Sequence, residues 1–180
     1  PESVIAEIKQ SKARRIFFYD DNMAADKKRL KVLLQMMIDE GLAMPWSAQV
    51  RTDVVRDPEL LDLMQRSGCC RVYLGLESVN QATLDHFHKA QSVDDITQAI
   101  KKLHEYGINS HGMFVLGADD DTKQTVRDTV TFALKHRIDT VMLNILTPLP
   151  GTPQYESLEE QGRIFDKRWH LYDAHHVVFT

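Results

Sequence analysis

Cysteine is almost missing from this chain: its 180 residues hold two, the adjacent pair Cys69 and Cys70. Neighbouring cysteines cannot easily close an unstrained disulfide, and two thiols cannot complete a tetrahedral metal site. The pair therefore reads as two small thiols at the start of a buried strand. Glycine, at 8 residues, is too scattered to make a phosphate loop or a dinucleotide fingerprint. Charge is nearly balanced, and a net −4 leaves no basic patch for nucleic acid. No apolar run approaches membrane-spanning length, and the opening stretch, Val4 to Gln10, is a mixed helical segment with no signal-peptide core. The chain starts on Pro1 instead of methionine, so it reads as a piece excised from a longer cytoplasmic protein.

What is present is a core-forming apolar fraction of 43%, enough for one compact domain over residues 1–180. Strand-like apolar runs fall at Ile16 to Tyr19, Trp46 to Arg51, Val72 to Leu76, Gly112 to Leu116 and Val141 to Leu146, each separated from the next by one amphipathic helix. That alternation, repeating at about 30 residues, indicates parallel βα units and not hairpins. The helices carry their own punctuation. One runs from about Asp26 to Glu40 and stops at Gly41. The next starts at Asp57-Pro58 and ends at Gly68. A third starts at Ser92, with Asp95 three residues on, and ends at Gly107. A fourth, about Thr122 to His136, is expected to turn Val126, Val130, Ala133 and Leu134 inward. The stiff segment Thr147 to Pro153 can be neither helix nor central strand, and a short helix follows to about Gln161. The aromatic, histidine-rich tail ends in Val177 to Phe179, a candidate extra strand.

Polar residues sit where these strands end. The first run ends in Asp20-Asp21-Asn22, and the second alternates Ser47, Gln49 and Arg51 on one face. The third puts Tyr73, Gly75 and Glu77 on one face and is followed by Ser78; the fourth ends in Leu116-Gly117; the fifth carries Asn144 amid apolar neighbours. In an α/β barrel those ends share one rim, where functional groups collect. A buried amide or guanidinium without partners costs on the order of a few kcal/mol, so a ligand or ordered water is expected there. Gly75 would leave an empty notch beneath Glu77 in which a flat ligand could lie with its hydroxyls on the carboxylate. The plainer alternative is a structural ion pair between Glu77 and a lysine. The acidic turn Asp119 to Asp121 reads as helix N-capping before it reads as a cation site. His104, His111, His170, His175 and His176 lack metalloprotease spacing and read as surface or capping residues.

Four segments, Ile-Phe-Phe-Tyr-Asp-Asp-Asn from Ile16, Leu-Gly-Leu-Glu-Ser from Leu74, Gly-Met-Phe-Val-Leu-Gly from Gly112 and Thr-Pro-Leu-Pro-Gly-Thr from Thr147, stand in an order that resembles the radical S-adenosylmethionine superfamily. The resemblance extends from about Arg14 to Phe179 and is nearest to members with a cobalamin-binding domain ahead of the barrel, such as cobalamin-dependent methylases and the anaerobic magnesium-protoporphyrin ester cyclase. It implies a partial six-stranded TIM-like (β/α) barrel in which the five strands here are the family's second to sixth, with the helices outside. By position it implies that Asp20 and Asp21 lie near the amino group of S-adenosylmethionine. It likewise implies Arg51 as the partner of the carboxylate, with Gln49 beside it, a fit that guanidinium geometry also favours. Glu77 and Ser78 match the ribose contact, Val115, Leu116 and Gly117 the segment on adenine, and Asn144 a further contact.

The implied activity is reductive cleavage of S-adenosylmethionine to a 5′-deoxyadenosyl radical that abstracts hydrogen from a small-molecule substrate. It would use a [4Fe–4S] cluster, in some members cobalamin, and a flavodoxin- or ferredoxin-type reductant. The family holds its cluster on C-x-x-x-C-x-x-C, a loop this sequence does not contain. The resemblance places that loop upstream of Pro1, and the chain as it stands is then expected to be inactive, with an open barrel edge through which it could dimerise. Two alternatives stay open: a lyase or hydrolase on a complete barrel, and a cluster-less barrel that serves as a binding module or scaffold.

Overall fold

The computed structural model describes residues 1–87 and 89–180. In chain order it contains α1 (Glu2–Gln10), β1 (Ile16–Phe18), α2 (Lys27–Asp39), β2 (Trp46–Val50), α3 (Pro58–Ser67), β3 (Cys69–Glu77), α4 (Gln81–His86), α5 (Val93–Glu105), β4 (Asn109–Leu116), α6 (Lys123–Lys135), β5 (Thr140–Ile145) and α7 (Pro153–Glu160). A 3₁₀ turn at Thr52–Arg56 links β2 to α3. The five strands form one parallel sheet in the order β1-β2-β3-β4-β5. Right-handed crossovers that always step in the same direction put every connecting helix on one face, and a twisted sheet covered on one side only curls into part of a barrel.

Burial follows that geometry. Trp46, Ala48, Val50, Val72, Leu74, Leu76 and Phe114 point outward into a core shared with Leu34, Met37, Leu60, Leu61, Met64, Ile96 and Ile100 of the helices. Trp46 is wholly buried and donates its indole N–H to Ser67 Oγ at 3.0 Å, so its polar atom is not left unpaired. The opposite, inner face is made of half-buried Gln49, Tyr73, Gly75, Met113 and Val115. Gly112 lies where the outward face is tightest: a Cβ there would come within 2.9 Å of Leu76 Cδ1 and 3.3 Å of Ile138 Cγ2. Gly112→Ala is expected to cost about 1–3 kcal/mol by overpacking, read as a lower denaturant midpoint with an unchanged slope.

Helix starts match the punctuation. Asp26, Asp57 and Thr152 each accept from a backbone N–H of the first turn. Ser92 and Asp95 form a full capping box on α5. The Ser92 backbone N–H and hydroxyl, with Arg56 at 2.7 Å, hold the Asp95 carboxyl down to about 2. A carboxyl depressed in the folded state stabilises above its unfolded pKa of about 4 and loses that contribution as pH falls toward 2. Asp95→Asn is therefore expected to flatten the acid-unfolding curve between about pH 4 and 2, and to lower stability at neutral pH by about 1 kcal/mol.

Four details depart from the sequence reading, the first being that two helices, α4 and α5, and not one, separate β3 from β4. α6 is turned by about one residue: Thr125 and Thr129 are buried, whereas Val126, Val130 and Leu134 are 41%, 47% and 76% exposed. Both sets recur every four residues, so periodicity alone cannot choose between them. Thr129 becomes buriable by donating its hydroxyl to the Thr125 carbonyl at 2.8 Å. The cap of α6 is Thr122, and Asp121 instead accepts from the Gly117 and Ala118 N–H groups at 2.8 and 3.1 Å. At the tail, the expected strand at Val177–Phe179 is reduced to a single antiparallel bridge between Ile164 and Phe179. Leu158, Tyr172, Val178 and Phe179 make a small separate cluster against Leu146.

A candidate binding site at the C-terminal rim of the barrel

The rim is assembled by short polar ties between successive strand ends. After β1 the chain turns through Asp21 and Asn22, and the Met23 N–H bonds to the Gln49 carbonyl on β2 at 2.9 Å. After β2, Thr52 donates to Gln91 Oε1 at 2.9 Å, and Gln91 Nε2 donates to the carbonyls of Gly75 and Leu76 at 3.0 and 3.3 Å. Gln91, which precedes α5, thus ties the tops of β2 and β3 together.

Glu77 ends β3 in an unusual way. The register against β4 slips between Gly75 and Glu77, and Glu77 has φ +62°, a left-handed conformation rare for a non-glycine residue. This bend folds its carboxylate back over Gly75, where a Cβ would lie only 2.9 Å from Glu77 Oε1. The notch over Gly75 is therefore filled by Glu77 itself and is not empty. Lys89 closes on the same oxygen at 2.7 Å. The ion-pair reading of Glu77 therefore holds, and the paired carboxylate also lines a cavity.

That cavity measures about 560 Å³ and brings together Asp21, Gln49, Arg51, Glu77, Val115 and Asn144, with Asn22, Gly75, Phe87, Lys89, Gln91 and Met113. Strands β2 to β5 contribute to it, and the segment that follows β1 adds Asp21 and Asn22. Of the other residues singled out from the sequence, Asp20 is exposed one residue before Asp21, Ser78 is 2% exposed, and Leu116 and Gly117 flank the cavity without lining it. Ser78 shapes the turn into α4: its N–H bonds to the Leu76 carbonyl and its Oγ accepts from the Asn80 N–H at 3.0 Å. Gly117 has φ +99° and turns the chain between β4 and α6. A second cavity of about 700 Å³ adjoins the first and shares Glu77, Phe87, Lys89 and Val115 with it. The bidentate pair of Arg163 with Asp119, at 2.9 and 2.5 Å, lines its far side.

Lys89, Gln91 and Phe87 went unremarked in the sequence, and Asn22 was placed at the first strand's end without a role of its own. The first three lie in the β3–α5 connection, where no periodicity marks a functional side chain; Asn22 stood beside two acids that drew the reading. Its Oδ1 is buried without a hydrogen-bond partner. Arg51 has no carboxylate within ion-pairing distance among the described residues. The cavity thus offers an unpaired guanidinium, an unpaired acceptor beside Asp21, and a carboxylate above a glycine.

A parallel five-stranded sheet with charged and amide groups converging at its C-terminal rim defines a partial (β/α)-barrel domain. The chain belongs to the radical SAM superfamily, which matches residues 1–133. Over 166 residues it is 32% identical to the bacteriochlorophyllide d C-12(1)-methyltransferase of Chlorobaculum tepidum, covering 92% of this chain and 36% of that protein. It is also 32% identical to the anaerobic magnesium-protoporphyrin IX monomethyl ester cyclase of Cereibacter sphaeroides, covering 92% and 28%. The chain thus spans about a third of the length of these relatives. Among solved structures, the radical S-adenosylmethionine methyltransferase TsrM from Kitasatospora setae, with cobalamin and a [4Fe–4S] cluster bound, superposes with TM-score 0.77 at 18% identity, covering 89% of this chain and 33% of that one. The cobalamin-dependent radical enzyme OxsB superposes with TM-score 0.63 at 17% identity, covering 89% and 25%. These likenesses carry the fold: five parallel strands of a partial TIM-like barrel.

Proposed function

We propose that the rim cavity binds S-adenosylmethionine and that the chain forms the S-adenosylmethionine-binding part of a radical enzyme acting on a small molecule. The observation that carries this reading is the convergence of Asp21, Gln49, Arg51, Glu77, Val115 and Asn144, drawn from all five strand ends, on a single cavity. The donor set suits a zwitterionic nucleoside. Arg51 suits its carboxylate, Asp21 and the unpaired Asn22 Oδ1 its ammonium, Glu77 its ribose hydroxyls, and Val115 one face of its adenine. Lys89, now on Glu77, must share that carboxylate with the ribose or turn to the ligand's own carboxylate. On one-electron reduction the bound cofactor supplies the power to take hydrogen from a substrate, and the protein's part is to hold, orient and shield it.

The residues described here do not fit an iron–sulfur cluster. Both thiols lie at the N-terminal end of β3, far from the rim; Cys69 is buried, and burial pushes its thiol well above the ordinary range. Any cluster, cobalamin or electron-donating partner protein therefore belongs to the reading of the whole protein, and no step is drawn through them. The relatives' names support reading the whole protein as a methyl-transferring or ring-closing enzyme.

Calorimetric titration of the full chain with S-adenosylmethionine tests the proposal. Saturable binding at one site per chain is the expected result, and a flat titration overturns it. Asn144→Leu is expected to weaken binding about 5- to 10-fold, since it removes one hydrogen-bonding group worth about 1 kcal/mol.

A further inference from the structure

The inner face does not end at the rim cavity. On β3, Arg71 and Tyr73 continue the face that carries Gly75; on β4, His111 continues the face of Met113 and Val115. The register aligns Gln49 with Tyr73 and Tyr73 with His111, and the two rings of the latter pair lie 4.6 Å apart. Phe17 of β1 packs edge-on against Tyr73 at 5.4 Å. With strands rising about 3.3 Å per residue, His111 lies roughly 13 Å below Val115, on the floor of the partial barrel.

Two atoms of this floor are buried with no hydrogen-bond partner: Arg71 Nε and His111 Nε2. Arg71 also makes no ion pair among the described residues. His111 Nδ1 meets Thr140 Oγ1 at 2.7 Å; when Nδ1 accepts that hydroxyl, the proton sits on Nε2, which becomes a donor with nothing to donate to. An internal hydrogen-bonded core would have placed an acceptor here, because an unpaired buried donor costs about 1–3 kcal/mol. Burial, and after it the Arg71 charge, lowers the His111 pKa, which keeps the imidazole neutral.

We propose that the floor formed by Arg71, Tyr73 and His111 is a second binding subsite, which takes the carboxylate of a flat small molecule and so anchors the substrate beneath the rim cavity. Its role as a substrate anchor rests on the reading of that cavity as the cofactor site. A guanidinium edge and an imidazole N–H match the two coplanar oxygens of a carboxylate, and the Tyr73 and Phe17 rings offer an aromatic wall for the attached group. A phosphate is the poorer match, since one guanidinium edge and one imidazole N–H supply too few donors for its additional charged oxygen.

The probe is sodium benzoate, added to the full chain with the histidine side-chain nitrogens followed by NMR and with inorganic phosphate as the second arm. Benzoate at millimolar concentration is expected to shift His111 Nε2 and the Tyr73 ring saturably, with phosphate at least ten-fold weaker. Arg71→Met is expected to weaken benzoate ten-fold or more while leaving S-adenosylmethionine affinity unchanged. His111→Gln, which keeps a side-chain N–H, is expected to weaken it less. Retained S-adenosylmethionine binding shows that a variant is folded. No His111 response to benzoate, or an equal response to phosphate, overturns the proposal; so does mutual exclusion of benzoate and S-adenosylmethionine, which would assign the floor to the cofactor's own carboxylate. A benzoate response in a chain that fails to bind S-adenosylmethionine leaves the carboxylate site standing and removes the reading of the rim cavity.

Discussion

Glu77→Ala is expected to weaken S-adenosylmethionine binding by about 10- to 100-fold while changing the stability of the chain by less than about 1 kcal/mol. Hydrogen bonds to a charged group contribute about 1.5–3 kcal/mol, and each 1.4 kcal/mol is a factor of ten in affinity. The stability cost is small because the Lys89 pair is solvent-accessible, with Lys89 40% exposed, and such pairs contribute about 0–1 kcal/mol. The substitution leaves the backbone strain in place, since alanine also carries a Cβ at φ +62°. Calorimetry on wild type and variant, with urea unfolding in parallel, separates the two effects. An unchanged affinity would remove Glu77 from the ligand and leave it a structural partner of Lys89. Glu77→Gln keeps the shape and is expected to fall between the two.

Gly68→Ala carries the largest expected effect on stability, a loss of about 3–5 kcal/mol from backbone strain and overpacking together. Gly68 ends α3 with φ +100°, and a Cβ built on it would run into the backbone carbonyl of Met44, which cannot rotate out of the way as a side chain could. Its own carbonyl accepts the Trp46 N–H at 3.0 Å, so any displacement is passed to the start of β2 and to the buried indole. Against a total of about 5–15 kcal/mol, such a loss unfolds a large fraction of the chain at physiological temperature. The urea midpoint measures it; a drop worth under about 1 kcal/mol would mean that the α3–β3 turn opens freely.

Much of the candidate site's placement was legible in the residues because the physics at each strand end is local. Polar groups alternating along an otherwise apolar strand, as Gln49 and Arg51 do, must share a face, and parallel strands must bring their C-terminal ends to one rim. The contributions of Lys89 and Gln91 were not legible. Both come from the irregular segment between α4 and α5, whose path is set by what it packs on and not by any repeat. The filled notch over Gly75 was hidden for a related reason. The slip of one residue at Leu76 and the left-handed turn at Glu77 arise from pairing with β4, some 37 positions further along the chain.

The sequence by itself determined the order of the strands and of the helices other than α4, most of their caps and stops, and the choice of outward core and inward polar face on β2 and β3, because periodicity and capping act over a few residues at a time. Tertiary structure alone decided the rotation of α6, the folding of the Glu77 carboxylate back onto Gly75, and the partnerless state of Arg71 Nε and His111 Nε2. Each of these depends on which distant atoms occupy the remaining space, and a hydrophobic pattern records which side is wet or dry without recording what stands there.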